Sequence, residues 1–218
     1  MPGCSVTVVL PCLNEAASLP GVLAAIPRGY RPLVVDNNST DETADVARRH
    51  GADVVAEPSP GYGSAVHAGV VAATTPVVAV LDADGSLDAS QLPALVSELR
   101  RGADLVTGRR RPVQGLRWPW HARAGTAAVC WRLRTRYGVP IHDIAPMRVT
   151  RRDALLALGV VDRRSGYPVE LLVRAAKAGW RVVERDVRYG PRTGGKSKVS
   201  GSLRGSFIAA LDFWRVIS

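Results

Sequence analysis

Val77-Val78-Ala79-Val80-Leu81 runs straight into Asp82-Ala83-Asp84-Gly85-Ser86. Five consecutive apolar residues, three of them β-branched, specify a strand buried on both faces, as in a parallel sheet covered by helices. Two carboxylates then leave the carboxyl end of that strand one residue apart. In open α/β sheets that edge is where ligands bind. Paired carboxylates there suit a hard divalent cation carrying a diphosphate. Taken alone, D-x-D is also what a polar turn after a strand looks like.

The same rhythm repeats on either side. Val6–Leu10 predicts a buried strand and about Glu15–Ile26 a helix. Leu33–Val35 predicts a short strand ending at Asp36. Ser39 or Thr40 then caps a helix to about His50, with Asp41 and Glu42 where the helix dipole favours acids. Val54–Ala56 reads as a strand, Ser64–Ala73 and Gln91–Arg101 as helices, and Asp104–Thr107 as a strand. Alternating β and α elements imply a mainly parallel α/β sheet with helices on both faces. Farther on, Arg109–Trp120 reads as an Arg/Pro/Trp loop, Ala122–Tyr137 as a helix and Ala154–Leu158 as a short one. Val169–Ala178 reads as a helix closed by Gly179, Arg181–Tyr189 as a strand, and Arg192–Gly201 as a Gly/Lys/Ser loop.

The 218 residues, 46% hydrophobic and 22% charged, fit one soluble globular domain. Three widely spaced cysteines suggest neither a disulfide framework nor a zinc site, and fit a reducing cytoplasm. No membrane span or signal peptide is expected. Charge is split unevenly. Residues 1–98 carry 11 acids and 4 bases, whereas residues 99–218 carry 8 acids and 25 bases. This points to a phosphorylated substrate held between the halves. Nucleic acid, an anionic membrane surface or an arginine-rich proteome are other sources of a basic half.

Two more loops join the acidic pair. Pro11-Cys12-Leu13-Asn14-Glu15 follows the first strand, and Asp36-Asn37-Asn38-Ser39-Thr40-Asp41 the second. Each is a plausible cap or turn by itself, but three such loops at the carboxyl ends of strands predict one shared crevice.

The series P-x-x-N-E, V-V-D-N-N-S-T-D-E-T, G-Y-G-S-A-V and L-D-A-D-G-S resembles family 2 glycosyltransferases of the GT-A fold. Asp143-Ile144-Ala145-Pro146-Met147-Arg148, Gly166-Tyr167-Pro168-Val169-Glu170 and Gly194-Gly195-Lys196-Ser197-Lys198-Val199-Ser200-Gly201 resemble the dolichyl- or polyprenyl-phosphate sugar synthase branch. The resemblance implies a single GT-A domain over 1–218, with a nucleotide-binding half to about residue 108 and an acceptor half beyond. Pro11, Leu13, Glu15, Asp36, Asp82 and Ala83 would hold the nucleotide of a UDP- or GDP-linked sugar. Asp82 and Asp84 would bind Mg²⁺ or Mn²⁺, a Lewis acid for the leaving diphosphate. Arg109 and Arg123 would face the acceptor phosphate, and Arg192, Lys196 and Lys198 would lie on a loop closing over the phosphates. Glu170 would act as general base or, for an already ionised phosphate, orient basic residues. The implied activity is inverting, metal-dependent transfer of a hexose to polyprenyl phosphate, with a soluble hydroxyl acceptor as alternative.

This chain has Ser86 where synthases of the branch can carry a further glutamine ligand, and the transmembrane helices that many of them append are not expected in these 218 residues. A non-catalytic nucleotide- or nucleic-acid-binding module is a remote alternative. The acidic pair argues against it, and only Trp118 and Trp120 lie near the bases, so no nucleic acid partner is expected. Gly190–Ser197 matches a P-loop pattern, but only 21 residues follow it, too few for a P-loop sheet. The four histidines lack metal-ligand spacing and read as surface or structural. Phe207, Leu211 and Trp214 share one helical face flanked by Arg204 and Arg215. That face either packs on the sheet or rests peripherally on the inner face of an anionic membrane.

Overall fold

The computed structural model describes residues 6–116, 120–144 and 146–194. Lys196, Lys198 and the amphipathic stretch at 207–217 lie outside the described residues. Seven strands form one sheet: β1 (Val6–Cys12), β2 (Tyr30–Asp36), β3 (Asp53–Ala56), β4 (Val77–Val80), β5 (Leu105–Pro112), β6 (Arg148–Arg151) and β7 (Val182–Tyr189). Their order is β3-β2-β1-β4-β6-β5-β7. β6 runs antiparallel to both β4 and β5, and the other pairings are parallel.

The apolar runs behave as the two-sided burial rule requires. Val6, Val8 and Leu10 of β1, with Ala79 and Leu81, face α1 (Leu19–Ala24), α2 (Thr43–Arg49) and α4 (Leu92–Arg100). Val9, Val35, Val78 and Val80 face the other way, toward α3 (Tyr62–Ala72), α5 (Trp120–Tyr137), α6 (Arg152–Ala157) and α7 (Tyr167–Lys177). Cys12 and Cys130 are buried and form no disulfide. Among the described residues no helix is long and apolar enough to cross a membrane.

Three sequence expectations need correction. Arg109–Trp120 is not all loop, because β5 continues through Arg109, Arg110 and Arg111 to Pro112. Its register pairs Arg109 with Asp186 and Pro112 with Tyr189. The long β7 partner overrides the poor strand propensity of the arginines. The short strand β6 carried no period-2 signal long enough to read. Ser39 and Thr40 do not cap α2, which starts at Thr43. Ser39 Oγ instead accepts the Asn14 N–H at 3.0 Å, and Thr40 N–H donates to Asn14 Oδ1 at 2.7 Å. Local polar groups are spent on tying two loops together, which competes with capping. Helix α1 likewise begins only at Leu19, with Pro20 in its first turn.

Helix α3 lies close on β1 and β2 at Gly69. A Cβ there would overlap Val9 Cγ1 and sit 2.9 Å from Val35 Cγ2. Gly69→Ala therefore overpacks a buried interface, at a cost of about 1–3 kcal/mol. A fall of several degrees in melting temperature is expected, and an unchanged melting temperature would refute the close approach.

Candidate active site

The carboxyl ends of β1, β2 and β4 open on one crevice of about 330 Å³. Pro11, Leu13 and Glu15 line it from β1, Asn37 and Asn38 from β2, Tyr62 from α3, and Asp82, Ala83 and Asp84 from β4. Arg192, just past β7, lines it too. The loops are cross-linked. Asn37 Nδ2 donates to the carbonyls of Glu57 and Ser59 at 2.7 and 2.8 Å, and its Oδ1 accepts Gly61 N–H at 2.9 Å. Ser18 Oγ lies 2.8 Å from the Ala83 carbonyl and 3.0 Å from Glu15 Oε2. Asp36 does not line the crevice, and its Oδ1 accepts the Ser39 N–H at 3.0 Å.

Asp84 is buried, with 4% of its surface exposed. Its Oδ1 accepts Ser86 N–H at 2.8 Å, and its Oδ2 lies 2.9 Å from Arg192 Nη2. The chain past β7 lies across this turn. Thr193 N–H donates to the Asp84 carbonyl at 3.1 Å and Gly190 N–H to the Ser86 carbonyl at 2.8 Å. Gly85, with φ +75°, leaves the space that Thr193 fills. The carboxyl of Asp82 is pushed up to about 6, first by burial and then by Asp84, against the pull of Arg148, Arg110 and Arg192. Burial, then Asp82, pushes the Tyr62 phenol up as well.

Arg148 is the residue that sequence reading overlooked here. It is 3% exposed, and β4–β6 register sets it opposite Val80, two residues before Asp82. Its Nη1 donates to the Tyr62 hydroxyl at 3.3 Å, and its Nε has no partner among the described residues. The sequence reading includes Arg148 at the end of the stretch Asp143–Arg148 but gives it no role at the site.

A second, larger cavity of about 740 Å³ is lined by Arg109, Arg110, Arg111, Arg123, His142 and Asp143 among others. Arg110 is clamped by Asp143, with Nε at 2.8 Å from Oδ2 and Nη2 at 2.6 Å from Oδ1. Arg110 thus stands in this cavity while acting on Asp82. Arg109 and Arg123, which the resemblance offered for an acceptor phosphate, also line it. His142, half-exposed at the surface, lines it too.

Glu170 is engaged elsewhere. Its carboxylate accepts the N–H groups of Val161 and Asp162 and pairs with Arg174. Burial raises its pKa, but the Asp162 and Val161 N–H bonds and Arg174 outweigh that and hold it below the ordinary range. These contacts engage Glu170 with the loop before α7 and with Arg174.

A family model described as "Glycosyl transferase family 2" matches residues 7–159. The chain belongs to glycosyltransferase family 2. This glycosyltransferase is 79% identical over 218 residues, all of both chains, to a protein of Mycobacterium tuberculosis strain H37Rv named as an uncharacterized glycosyltransferase. It is 32% identical over 231 positions to the undecaprenyl-phosphate mannosyltransferase of Micrococcus luteus, covering 96% of this chain and 93% of that protein. The glucosyl-3-phosphoglycerate synthase of Mycobacterium tuberculosis, solved with Mn²⁺, UDP and glucosyl-3-phosphoglycerate, matches with a TM-score of 0.77 at 23% identity. That match covers 99% of this chain and 79% of the other, and it speaks for the GT-A fold.

The raised Asp82 pKa carries a stability consequence. The folded chain holds this proton more tightly than the unfolded one, so the stability it confers is present below the ordinary value of 3.8 and lost as pH rises toward about 6. Near neutral pH the ionised Asp82 destabilises the metal-free glycosyltransferase. Asp82→Asn should raise its melting temperature by about 2–4 °C, the response to ~1 kcal/mol in a chain of this size. The gain should shrink below about pH 5. Thermal unfolding across that range checks both, and a variant less stable at neutral pH would contradict the account.

Proposed function

We propose that this glycosyltransferase moves a hexose from a UDP- or GDP-linked sugar to a phosphate-bearing acceptor, polyprenyl phosphate above all. The observation that carries the reading is the juxtaposition of two sites of opposite charge, with Arg110 belonging to the second cavity and acting electrostatically on Asp82 in the first. The full-length similarity to an undecaprenyl-phosphate mannosyltransferase supports a lipid phosphate acceptor.

The residues at the crevice fit a divalent metal of the Mg²⁺ or Mn²⁺ kind. Among the described residues no group of three or more His, Cys, Asp or Glu side chains gathers. A pair of carboxylates suits an ion that keeps several waters and takes its remaining ligands from a diphosphate. Asp82 and Asp84 would hold it, and when bound it would stabilise the charge developing on the departing nucleoside diphosphate. The Mn²⁺ and UDP in the structurally similar synthase support this assignment. Pro11, Leu13, Glu15 and Ala83 would flank the nucleotide, with Arg192 at the diphosphate. Arg109 and Arg123 would hold the acceptor phosphate. An ionised phosphate oxygen attacks the anomeric carbon directly, from the face opposite the leaving group, and inverts it. No side chain need take a proton, in keeping with the commitment of Glu170 to its loop. A lipid acceptor would be met at the inner face of the membrane.

Radiolabel transfer from nucleotide sugars to polyprenyl phosphate in detergent, with Mn²⁺, tests the reading. Asp84→Asn should lower transfer by at least about 10²-fold, as should EDTA. Full activity in EDTA would overturn the metal role, and transfer confined to soluble acceptors would overturn the lipid acceptor.

Arg192 gives a second test. Its guanidinium occupies Asp84 Oδ2, so a dication binding there has a like charge to displace. Arg192→Ala should tighten Mn²⁺ binding to the nucleotide-free protein several-fold while lowering turnover. Calorimetric titration with Mn²⁺ decides, and weaker binding by the variant would mean that Arg192 assists the metal.

A further inference from the structure

His142 is set at the arginine-lined cavity by a carboxylate that the transfer reaction leaves unused. Glu184, on β7, presents one oxygen to the His142 and Asp143 N–H groups at 2.6 and 3.0 Å. Its other oxygen lies 2.8 Å from His142 Nδ1. The Glu184 side chain is 8% exposed and that of His142 51% exposed. A buried carboxylate, reached from the ring and from two successive backbone amides, fixes the backbone and the imidazole together. Ionised, it can only accept, so Nδ1 carries a hydrogen and Nε2 is the ring atom left for a ligand. The next residue, Asp143, clamps Arg110 by both carboxylate oxygens. One two-residue segment therefore places two cationic or cation-forming side chains at the lining of this cavity, and His142 also lines a neighbouring one with Arg109 and Glu184.

We propose that His142 is a direct ligand of the acceptor's phosphomonoester, donating Nε2–H from the imidazolium form while Nδ1–H remains on Glu184. The inference rests on the phosphate-acceptor reading and deepens it. Arg109 and Arg123 line the same cavity and suit a dianionic group, whereas Arg111, which lines it too, is paired with Asp186 at 2.8 Å. A hydrogen bond between imidazolium and phosphate is charge-assisted on both sides and among the stronger polar contacts. The buried pairing with Glu184 pre-organises the ring, so little rotamer freedom is lost when phosphate arrives. Because the phosphate oxygen is its own nucleophile, His142 serves to bind and orient and takes up no proton during transfer.

The test is calorimetric binding of farnesyl phosphate and of glycerol 3-phosphate to wild type, His142→Ala and His142→Gln, together with acceptor kinetics. His142→Ala should weaken both phosphates about tenfold, the value of one charge-assisted hydrogen bond. It should raise the acceptor KM without changing the donor KM. His142→Gln, which keeps a neutral donor, should recover part of the affinity. The half-exposed position makes both variants foldable, which their melting temperatures check. Tighter binding of farnesyl phosphate than of glycerol 3-phosphate by wild type, with the loss seen for both, supports the proposal and identifies a lipid source; the reverse preference, with the same loss, supports it and identifies a soluble one. Wild-type binding that His142→Ala leaves unchanged overturns the role of His142 alone. A wild type that binds neither phosphate overturns this proposal and the phosphate-acceptor reading together.

Discussion

Two carboxylates crowded at the end of one buried strand are the constraint around which this protein is arranged. Burial and mutual repulsion both disfavour ionisation of Asp82, and its carboxyl is pushed up to about 6 in consequence. Buried charge is tolerable only when it is answered by other charge or by hydrogen bonds. Here the answer is distributed. Arg148 comes from β6, Arg110 from β5, and Arg192 from the chain that leaves β7. All three belong to the basic portion of the sequence, so the acidic and basic portions need one another electrostatically as well as through the shared sheet.

Strand direction makes this possible. β6 is antiparallel to its neighbours, so its first residue, rather than its last, reaches the edge where β4 ends. Arg148 is that first residue. A parallel strand in the same slot would bring its other end to the acidic turn. β5 then runs parallel to β7 far past the crevice, carrying Arg109, Arg110 and Arg111 to the neighbouring cavity. The same strand thus contributes to the core at Leu105 and Val106 and to charge at its end.

Rigid loops complete the arrangement. Asn14, Asn37, Ser18 and Thr43 tie the loops after β1, β2, β3 and β4 into one unit through side-chain bonds. Polar residues that look like candidate ligands in a sequence, Asp36 and Asn37 among them, are largely spent on this scaffold. Glu170 is a further example, holding two backbone amides and an arginine.

The amino-acid sequence by itself determined the alternation of strands and helices, the burial of β1 and β4 on both faces, and the emergence of Asp82 and Asp84 at a sheet edge. These follow from local periodicity and from chain direction, which need no knowledge of distant partners. It also carried the series of motifs that marks family 2. Only the tertiary structure decided that β6 is inserted antiparallel, that Arg109 to Pro112 are strand, and that Arg148 lies buried opposite the last residue of the strand that leads into the acidic pair. The partners of Glu170 and His142 were hidden for the same reason. What a carboxylate or imidazole can do depends on which groups fill its lone pairs and carry its protons, and those groups lie at 161–162 and 174 for one and at 184 for the other. Of these partners only Arg174 lies within a helical turn of its carboxylate, so composition and periodicity, which act over a few residues, could not pair the rest.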